Sequence, residues 1–235
     1  TGVPINELTI SLNAGWNLFT GITNSLNISS IQDPDGLIIP GTIYGFSEGI
    51  RFHTDGQIYD GTFINGKLTG QGTKTWFNGD VYLGGFLDDK PHGYGILTYA
   101  YDGEERGEWE NGFLNGKGHR VKVNGDRYDG GFLKDQYHGI GTYTWNEGGS
   151  YEGQWKHNQI NGQGKYTWSN GSSYEGEYLN GNRHGKGFAT YSNGSTYEGE
   201  YLNGNKHGKG IFTMVNGTRY EVVYENDELK SNKAI

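Results

Sequence analysis

Cysteine is absent from this chain of 235 residues. Without it the chain has no disulfide, no thiolate metal site and no cysteine nucleophile. No apolar run approaches the roughly 18 residues that a membrane-spanning helix needs. A net charge of −8 argues against strong binding to nucleic acid or to an anionic membrane, unless positive charge is gathered in one place. We therefore expect no nucleic-acid partner.

Glycine, in contrast, is abundant, with 43 residues of 235 where ordinary proteins contain about 7%. A glycine inside a helix costs up to ~1 kcal/mol relative to alanine, so this composition favours strands and turns. The length suits one large all-β domain, or a small domain joined to a repeat array.

A 23-residue repeat organises most of the chain. Tyrosines fall on one lattice at this spacing, and Glu105 occupies the remaining lattice point. Counting from the lattice residue as position 0, position +2 is mostly glycine, position +4 is always aromatic, and positions +11 and +13 are mostly glycine. Asn-Gly or Asp-Gly pairs, which favour tight hairpin turns, precede most lattice points. The lattice tyrosines are Tyr59, Tyr82, Tyr128, Tyr151, Tyr174, Tyr197 and Tyr220.

Each unit is interpreted as two short strands, for example Tyr174 to Leu179 and Gly187 to Tyr191, joined by a glycine-rich loop from Asn180 to Gly185. Alternation along a strand places positions 0, +2 and +4 on one face, which is aromatic, and the acidic positions +1 and +3 on the other. The missing Cβ atoms at +2, +11 and +13 let rings lie over bare backbone. The sequence thus predicts an all-β, single-layer, twisted solenoid of β-hairpins.

The segment Tyr174-Glu-Gly-Glu-Tyr-Leu-Asn-Gly-Asn-Arg-His-Gly-Lys-Gly and its near copy from Tyr197 resemble the consensus of the MORN repeat. Eight units in one register make the resemblance specific. It covers residues 49–224, although Glu105 replaces the lattice tyrosine of one unit and Val222 the +2 glycine of the last. MORN repeats have been linked to phosphoinositide-rich membranes, so the resemblance also implies a lipid-binding alternative.

Residues 1–48 do not follow the lattice and are predicted to form a small N-terminal β cap or assembly segment, with strands around Leu8 to Leu12 and Trp16 to Phe19. Residues 225–235 are a polar C-terminal tail, for which a short helix, a linker and an arm all stay open.

The histidines are the main candidates for catalysis or metal binding. His92, His138, His184 and His207 recur at +10, where neighbouring repeats lie two strands, or about 9–10 Å, apart. This exceeds what ligands of one zinc ion allow. We interpret these histidines as loop residues that hydrogen-bond their own turns, and the chain as a non-enzyme that needs no cofactor and holds no metal.

The aromatic face is the candidate partner or assembly surface, because a single-layer sheet has no second layer to cover it. Its rings pack on each other, or they receive a helix, an extended peptide, a sugar or a second copy of the chain. The residues proposed for this surface are Tyr128, Trp145, Tyr151, Trp155, Trp168, Tyr174, Tyr178, Tyr197 and Tyr201.

Charged residues suggest three further features. Arg183, Lys186, Lys206 and Lys209 are expected to gather on one edge, which is the candidate site for an anionic lipid headgroup. The acidic residues at +1 and +3 are expected to pair across strands with Lys165, Lys186 and Lys209. Glu105 and Lys122, which together replace two aromatic positions of one unit, are predicted to form a charge pair.

N-glycosylation sequons stand at Asn27, Asn170, Asn193 and Asn216, and the last three are also hairpin-turn residues. The chain begins Thr-Gly-Val, which favours a processed mature chain or an excised fragment. The compartment stays open, with an extracellular or cell-surface location preferred to a cytoplasmic one.

The sequence predicts a non-enzymatic scaffold. An open solenoid leaves unpaired backbone groups at its end strands, so a homo-oligomer or head-to-tail polymer is preferred. The alternative is a peripheral membrane module that binds anionic phospholipids through the basic edge.

Overall fold

The computed structural model describes the backbone of residues 17–19 and 47–235, with side chains from residue 49 onward. The chain divides into two compact units, one of residues 1–101 with 109–112 and the other of residues 102–108 with 113–235. The described residues form strands and turns and contain no helix, and hence none that is long and apolar enough to cross a membrane.

In the first unit, neighbouring strands pair antiparallel in chain order from β1 to β6. The strands are β1 (Asn17–Phe19), β2 (Ser47–Phe52), β3 (Ile58–Ile64), β4 (Lys67–Thr75), β5 (Val81–Leu87) and β6 (Lys90–Tyr99). The next strand, β7 (Gly103–Glu110), begins in the second unit and has its last two residues in the first.

In the second unit, the strands from β8 to β18 also pair antiparallel in chain order. They are β8 (Phe113–Val121), β9 (Arg127–Leu133), β10 (Gln136–Thr144), β11 (Gly149–Lys156), β12 (Gln159–Trp168), β13 (Ser173–Leu179), β14 (Asn182–Thr190), β15 (Thr196–Leu202), β16 (Asn205–Thr213), β17 (Arg219–Glu225) and β18 (Glu228–Ala234). The predicted all-β, single-layer array of hairpins is confirmed.

The hairpins close more tightly than the sequence suggested. Asn180 and Gly181, with φ of 51° and 85°, form a two-residue turn in the left-handed region that favours hairpins. Strand β14 begins at Asn182, so the expected loop from Asn180 to Gly185 is wrong. Gly185 (φ 58°) lies in a β-bulge where the register of β13 and β14 shifts, and the bulge explains the recurring glycine at +11.

The lattice tyrosines form the core by lying over glycine. Tyr174 is fully buried, and a Cβ on Gly187 would overlap its ring. Gly176 is the cross-strand partner of Gly187, and a Cβ on Gly176 would lie 2.6 Å from the Cα of Gly187. The predicted packing of rings over bare backbone is therefore confirmed, and it explains why +2 and +13 are glycine.

A polar contact also joins successive repeats. The N–H of Leu114 donates to Asp135 Oδ1 at 2.6 Å, and the N–H of Asp135 donates to the carbonyl of Leu114 at 3.0 Å. The same reciprocal pair links Lys206 and Asp227. Each such turn carboxylate pins the strand of the preceding repeat, 21 residues earlier.

The two ends of the chain differ in how far the predictions are tested. The expected β cap lies largely outside the described residues, although β1 within it pairs with β2. The residues of the polar C-terminal tail are exposed, and they form neither a helix nor a free arm. Its residues form β18, which pairs with β17 and completes the hairpin of the last lattice tyrosine.

Candidate interaction surfaces

The aromatic face is mostly a core rather than an open surface. Seven of the nine residues predicted for partner binding are buried, because neighbouring rings pack edge to face. Tyr174, for example, lies 5.2 Å from Tyr178 and 4.8 Å from Tyr201 between ring centroids. The buried seven are Tyr128, Tyr151, Trp155, Tyr174, Tyr178, Tyr197 and Tyr201. A partner reaches none of them without opening the core, so their proposed role as an exposed surface is wrong.

Burial leaves a chemical signature on these tyrosines. The Tyr174 hydroxyl donates to the carbonyl of Glu177 at 3.1 Å, three residues along its own strand. Desolvation raises the pKa of Tyr174 to about 12, and it has the same effect on Tyr151 and Tyr197. These phenols stay protonated at neutral pH and act as hydrogen-bond donors within the core.

The other two predicted residues, Trp145 and Trp168, remain accessible. They alternate with Tyr143 and Tyr166 in a stepped ladder near the hairpin turns, with ring centroids 4.8, 4.9 and 4.6 Å apart. Trp168 is 37% exposed. Of the nine residues predicted for this surface, these two are therefore the ones that a partner can reach.

The four basic residues of the predicted edge are divided between the two faces. Arg183 lies 5.0 Å from the ring centroid of Tyr201, and Lys206 lies 4.3 Å from that of Tyr224, so both cover the aromatic face. Burial lowers the pKa of Lys206, while the nearby Asp227 carboxylate acts in the opposite direction. Lys186 and Lys209 line a groove on the other face. A single basic edge is therefore wrong.

Arg183 and Lys206 share repeat position +9, which the sequence analysis did not single out. In earlier repeats this position holds Leu68 and Leu114, both completely buried. Alternation along the strands could have identified this position. With a two-residue turn, +9 lies opposite the aromatic residue at +4 and therefore on the aromatic face.

Opposite the aromatic face, the last three hairpins form a groove of about 890 Å³, on what we call the polar face. Its floor includes three glycines of the +2 and +13 positions, and its walls carry carboxylates, lysines and apolar side chains. The lining residues used below are Glu175, Lys186, Gly187, Phe188, Glu198, Gly199, Glu200, Lys209, Gly210, Ile211, Glu221 and Val223.

The expected cross-strand ion pairs on the polar face form only in part. Lys165 Nζ lies 3.8 Å from Glu175 Oε2, as predicted. Lys186 is in register with Glu200, and Lys209 with Val223, but no ion pair of either lysine is found in the described part of the chain. Both ammonium groups are exposed at the groove.

The unusual repeat contains a buried ion pair, with a different partner from the one expected. Arg120 Nε donates to Glu105 Oε1 at 2.7 Å, and Glu105 is only 4% exposed. Burial lowers the pKa of Arg120, but the Glu105 carboxylate and the Tyr137 hydroxyl together raise it further, and the net shift is upward. Lys122 instead lies 5.5 Å from the ring centroid of Tyr143. The predicted Glu105–Lys122 pair is wrong because Arg120, not Lys122, faces the lattice position.

The histidines are not loop residues. His184 and His207 lie within β14 and β16, in register with Glu177 and Glu200, and the Nδ1 atoms of both are buried without a hydrogen-bond partner in the described residues. The interpretation that they bind their own turns is wrong for these atoms. Among the residues with a described position, no three histidines or carboxylates are grouped as a metal site would require.

Three of the four sequon asparagines lie in exposed turns. Asn170 Oδ1 accepts from the N–H of Ser172 at 3.0 Å, and Asn216 Oδ1 from that of Thr218 at 3.0 Å, with Asn193 and Ser195 bonded alike. Asn27 lies outside the described residues. Glycosylation of these sites stays a prediction.

A family model described as MORN repeat matches seven segments of the chain: residues 59–81, 82–100, 106–127, 128–150, 151–173, 174–196 and 197–219. In the repeat whose lattice position is Glu105, the match begins at residue 106. A comparison with curated proteins finds no match.

Solved structures show a distant likeness. The TCP domain of Drosophila melanogaster SAS-4 in complex with a proline-rich motif of Ana2 is 12% identical, with a TM-score of 0.32, over 76% of this chain and 84% of that one. The TCP10 domain of Danio rerio CPAP in complex with a STIL peptide is 11% identical, with a TM-score of 0.28, over 80% and 95%. Likeness at this level carries no functional argument.

Proposed function

We propose that this chain, which belongs to the MORN-repeat family, is a non-catalytic scaffold that self-associates through the edge of its last strand. MORN repeats form a non-catalytic repeat module, and such a module suggests a scaffold or interaction role. The additional step is self-association, which is supported by the state of β18.

Strand β18 is paired on one side only among the described residues. Its inner edge binds β17, and all seven of its residues are exposed. Since the N–H of Ile235 donates to the carbonyl of Arg219, alternation along an antiparallel pair directs the backbone groups of Asn232 and Ala234 outward. These groups can receive a strand of a second copy.

Sedimentation velocity over a wide concentration range tests the proposal. We expect the chain to form larger species as concentration rises, and the double variant Asn232→Pro, Ala234→Pro to remain monomeric, because proline removes the outward donors. The control, Asn232→Ala with Ala234→Ser, keeps both N–H groups and should associate like the parent. A parent chain that stays monomeric throughout, or a proline variant that still associates, contradicts the proposal.

Binding to anionic lipid remains the alternative function, but the division of Arg183 and Lys206 from Lys186 and Lys209 gives it less support. Vesicles containing a phosphoinositide test it directly. Salt-sensitive binding that disappears on neutralising these four residues would favour the lipid function over self-association.

A further inference from the structure

The groove on the polar face has a regular pattern of charge that selects a particular ligand. Glu175, Glu198 and Glu221 occupy the same repeat position, +1, in three successive hairpins. Phe188 and Ile211 stand between them, because Phe188 is in register with both Glu175 and Glu198, and Ile211 with both Glu198 and Glu221. One wall therefore alternates carboxylate and apolar side chain across five adjacent strands.

The repeat distance of this wall follows from sheet geometry. Adjacent strands lie about 4.7–4.9 Å apart, so successive carboxylates are about 9.4–9.8 Å apart along the groove. All three are exposed. Glu175 lies 3.8 Å from Lys165 Nζ, and Glu221 is in register with Lys233, which also lines the groove. Glu198 stands between Phe188 and Ile211 and has no ion pair among the described residues. The chain as a whole carries a charge of −8. A cationic ligand is complementary to this wall.

Only one regular peptide conformation matches the period with side chains on one face. A polyproline II helix has three residues per turn and rises about 3.1 Å per residue, which places every third side chain on the same face at about 9.3 Å. In a β-strand, residues three apart point to opposite faces. An α-helix would need about 6.4 residues per step at 1.5 Å each, so its matching side chains drift around the helix.

The second wall suits the backbone of such a peptide. Lys186 and Lys209 lie at +12 of successive hairpins, with Glu200 between them. A polyproline II backbone forms no internal hydrogen bonds, so its carbonyls are free to accept. Two exposed ammonium groups on one wall can donate to these carbonyls while the carboxylates of the other wall bind cationic side chains.

We propose that the groove binds an extended, proline-rich segment of a partner protein that carries a lysine or arginine at every third residue. Three carboxylates about 19 Å apart from first to last correspond to seven residues of polyproline II. The cations pair with Glu175, Glu198 and Glu221, and the intervening prolines pack on Phe188 and Ile211. This goes beyond self-association, because the ligand binds side chains on a face of the sheet, whereas a second copy would pair with the outer backbone groups of β18.

Fluorescence anisotropy with labelled peptides tests the proposal at low salt. The probe is Lys-Pro-Pro-Lys-Pro-Pro-Lys, and the matched control is Lys-Lys-Pro-Pro-Pro-Pro-Lys, which has the same composition and charge without the period. We expect the periodic peptide to bind more tightly by several-fold. Equal binding of the two peptides would overturn the proposal, as would tighter binding of a basic amphipathic helix.

Variants of the chain identify the wall. Glu198→Gln should weaken binding of the periodic peptide by about two- to fivefold, the range of an exposed ion pair. Glu147→Gln, which removes an exposed carboxylate from a turn outside the groove, should leave it unchanged. Equal effects of the two variants would contradict the proposal. Because Asn232 also lines the groove, peptide binding is measured in chains that keep Asn232, and self-association is measured by sedimentation without peptide, so the failure of one proposal leaves the other standing.

Discussion

Two repeats of the second unit fill the space at the lattice position with different side chains. In the repeat of Tyr174, the lattice position holds a ring that covers Gly187. In the repeat of Glu105 the lattice position holds a carboxylate bound to Arg120. Gly118 is the glycine equivalent to Gly187, and a Cβ added to it would lie 3.0 Å from the ring of Phe132 in the next strand. The hairpin thus tolerates the loss of its central tyrosine when an ion pair and a neighbouring ring fill the space.

The largest expected effect comes from breaking that ion pair. Arg120→Met leaves the Glu105 carboxylate buried without its charge partner and should lower the free energy of unfolding by about 3–5 kcal/mol. Urea denaturation followed by tryptophan fluorescence measures this.

The double variant Glu105→Tyr, Arg120→Tyr sharpens the comparison, because Tyr128 and Tyr143 pair across strands in the same way in the next repeat. We expect it to be at least as stable as the parent, since apolar replacement of a buried ion pair is often neutral or stabilising. If Arg120→Met costs nothing, the ion pair does not hold this repeat together.

A methyl group on the glycine under the ring should have the next largest effect. Gly187→Ala forces the Tyr174 ring away and should cost about 1–3 kcal/mol through overpacking. Gly118→Ala places its Cβ 3.0 Å from the edge of Phe132 and 3.2 Å from the Arg106 carbonyl oxygen, against 2.3 Å from the Tyr174 ring in Gly187→Ala, and should cost less. Equal losses in the two variants, measured by urea denaturation, would show that the ring over Gly187 is not what distinguishes the repeats.

The contact between repeats should contribute less. Asp135→Gly removes the acceptor for the N–H of Leu114 and should lower the free energy of unfolding by about 1 kcal/mol. The backbone itself should tolerate the change, because Gly181 occupies the same turn position in another repeat. Asp135→Asn keeps an acceptor, as Asn158 does for Tyr137 at 2.8 Å, and should be close to neutral. A destabilisation by asparagine equal to that by glycine would argue against the hydrogen bond.

The smallest expected effect is a loss of stability at alkaline pH. It should come from the repeats with a lattice tyrosine and not from the repeat of Glu105, which has no phenol at this position. Tyr174 has its pKa raised to about 12 in the folded chain, above the value of about 10 expected when unfolded. The contribution of Tyr174 to stability should be constant below pH 10 and fall between pH 10 and 12, because the unfolded chain releases a proton that the folded chain retains.

Tyr174→Phe should reduce this fall, which urea midpoints at pH 8, 10 and 11 would measure. The control Tyr101→Phe alters a ring that is 86% exposed and should leave the slope unchanged. An unaltered slope in Tyr174→Phe would show that this phenol does not report on the core.

Much of the architecture could be predicted from the sequence because the same pattern of residues occurs in eight repeats. The faces of Tyr174 and Glu175 were predicted from alternation, and the glycines at +2 and +13 from the need for rings to approach the backbone. The predicted turn at Asn180 was too long. The glycine at 185 suits a loop as well as a β-bulge, so the sequence did not identify the bulge.

The surfaces were harder to predict than the strands. The sequence suggested an uncovered aromatic face, but exposure depends on whether rings of adjacent repeats reach each other, as Tyr174 and Tyr201 do. Arg183 and Lys186 are three residues apart and were expected on one edge. Both lie in β14, where ordinary alternation puts residues three apart on opposite faces, and this was missed because the segment was interpreted as a loop.

The sequence by itself determined the 23-residue hairpin, its chemically distinct faces and its family, because local alternation and turn chemistry act over a few residues. Only the tertiary structure decided that the aromatic face is a core, that Glu105 pairs with Arg120, and that the polar face of the last hairpins encloses a groove. These features depend on which side chains meet across neighbouring strands, and that is set by register and bulges.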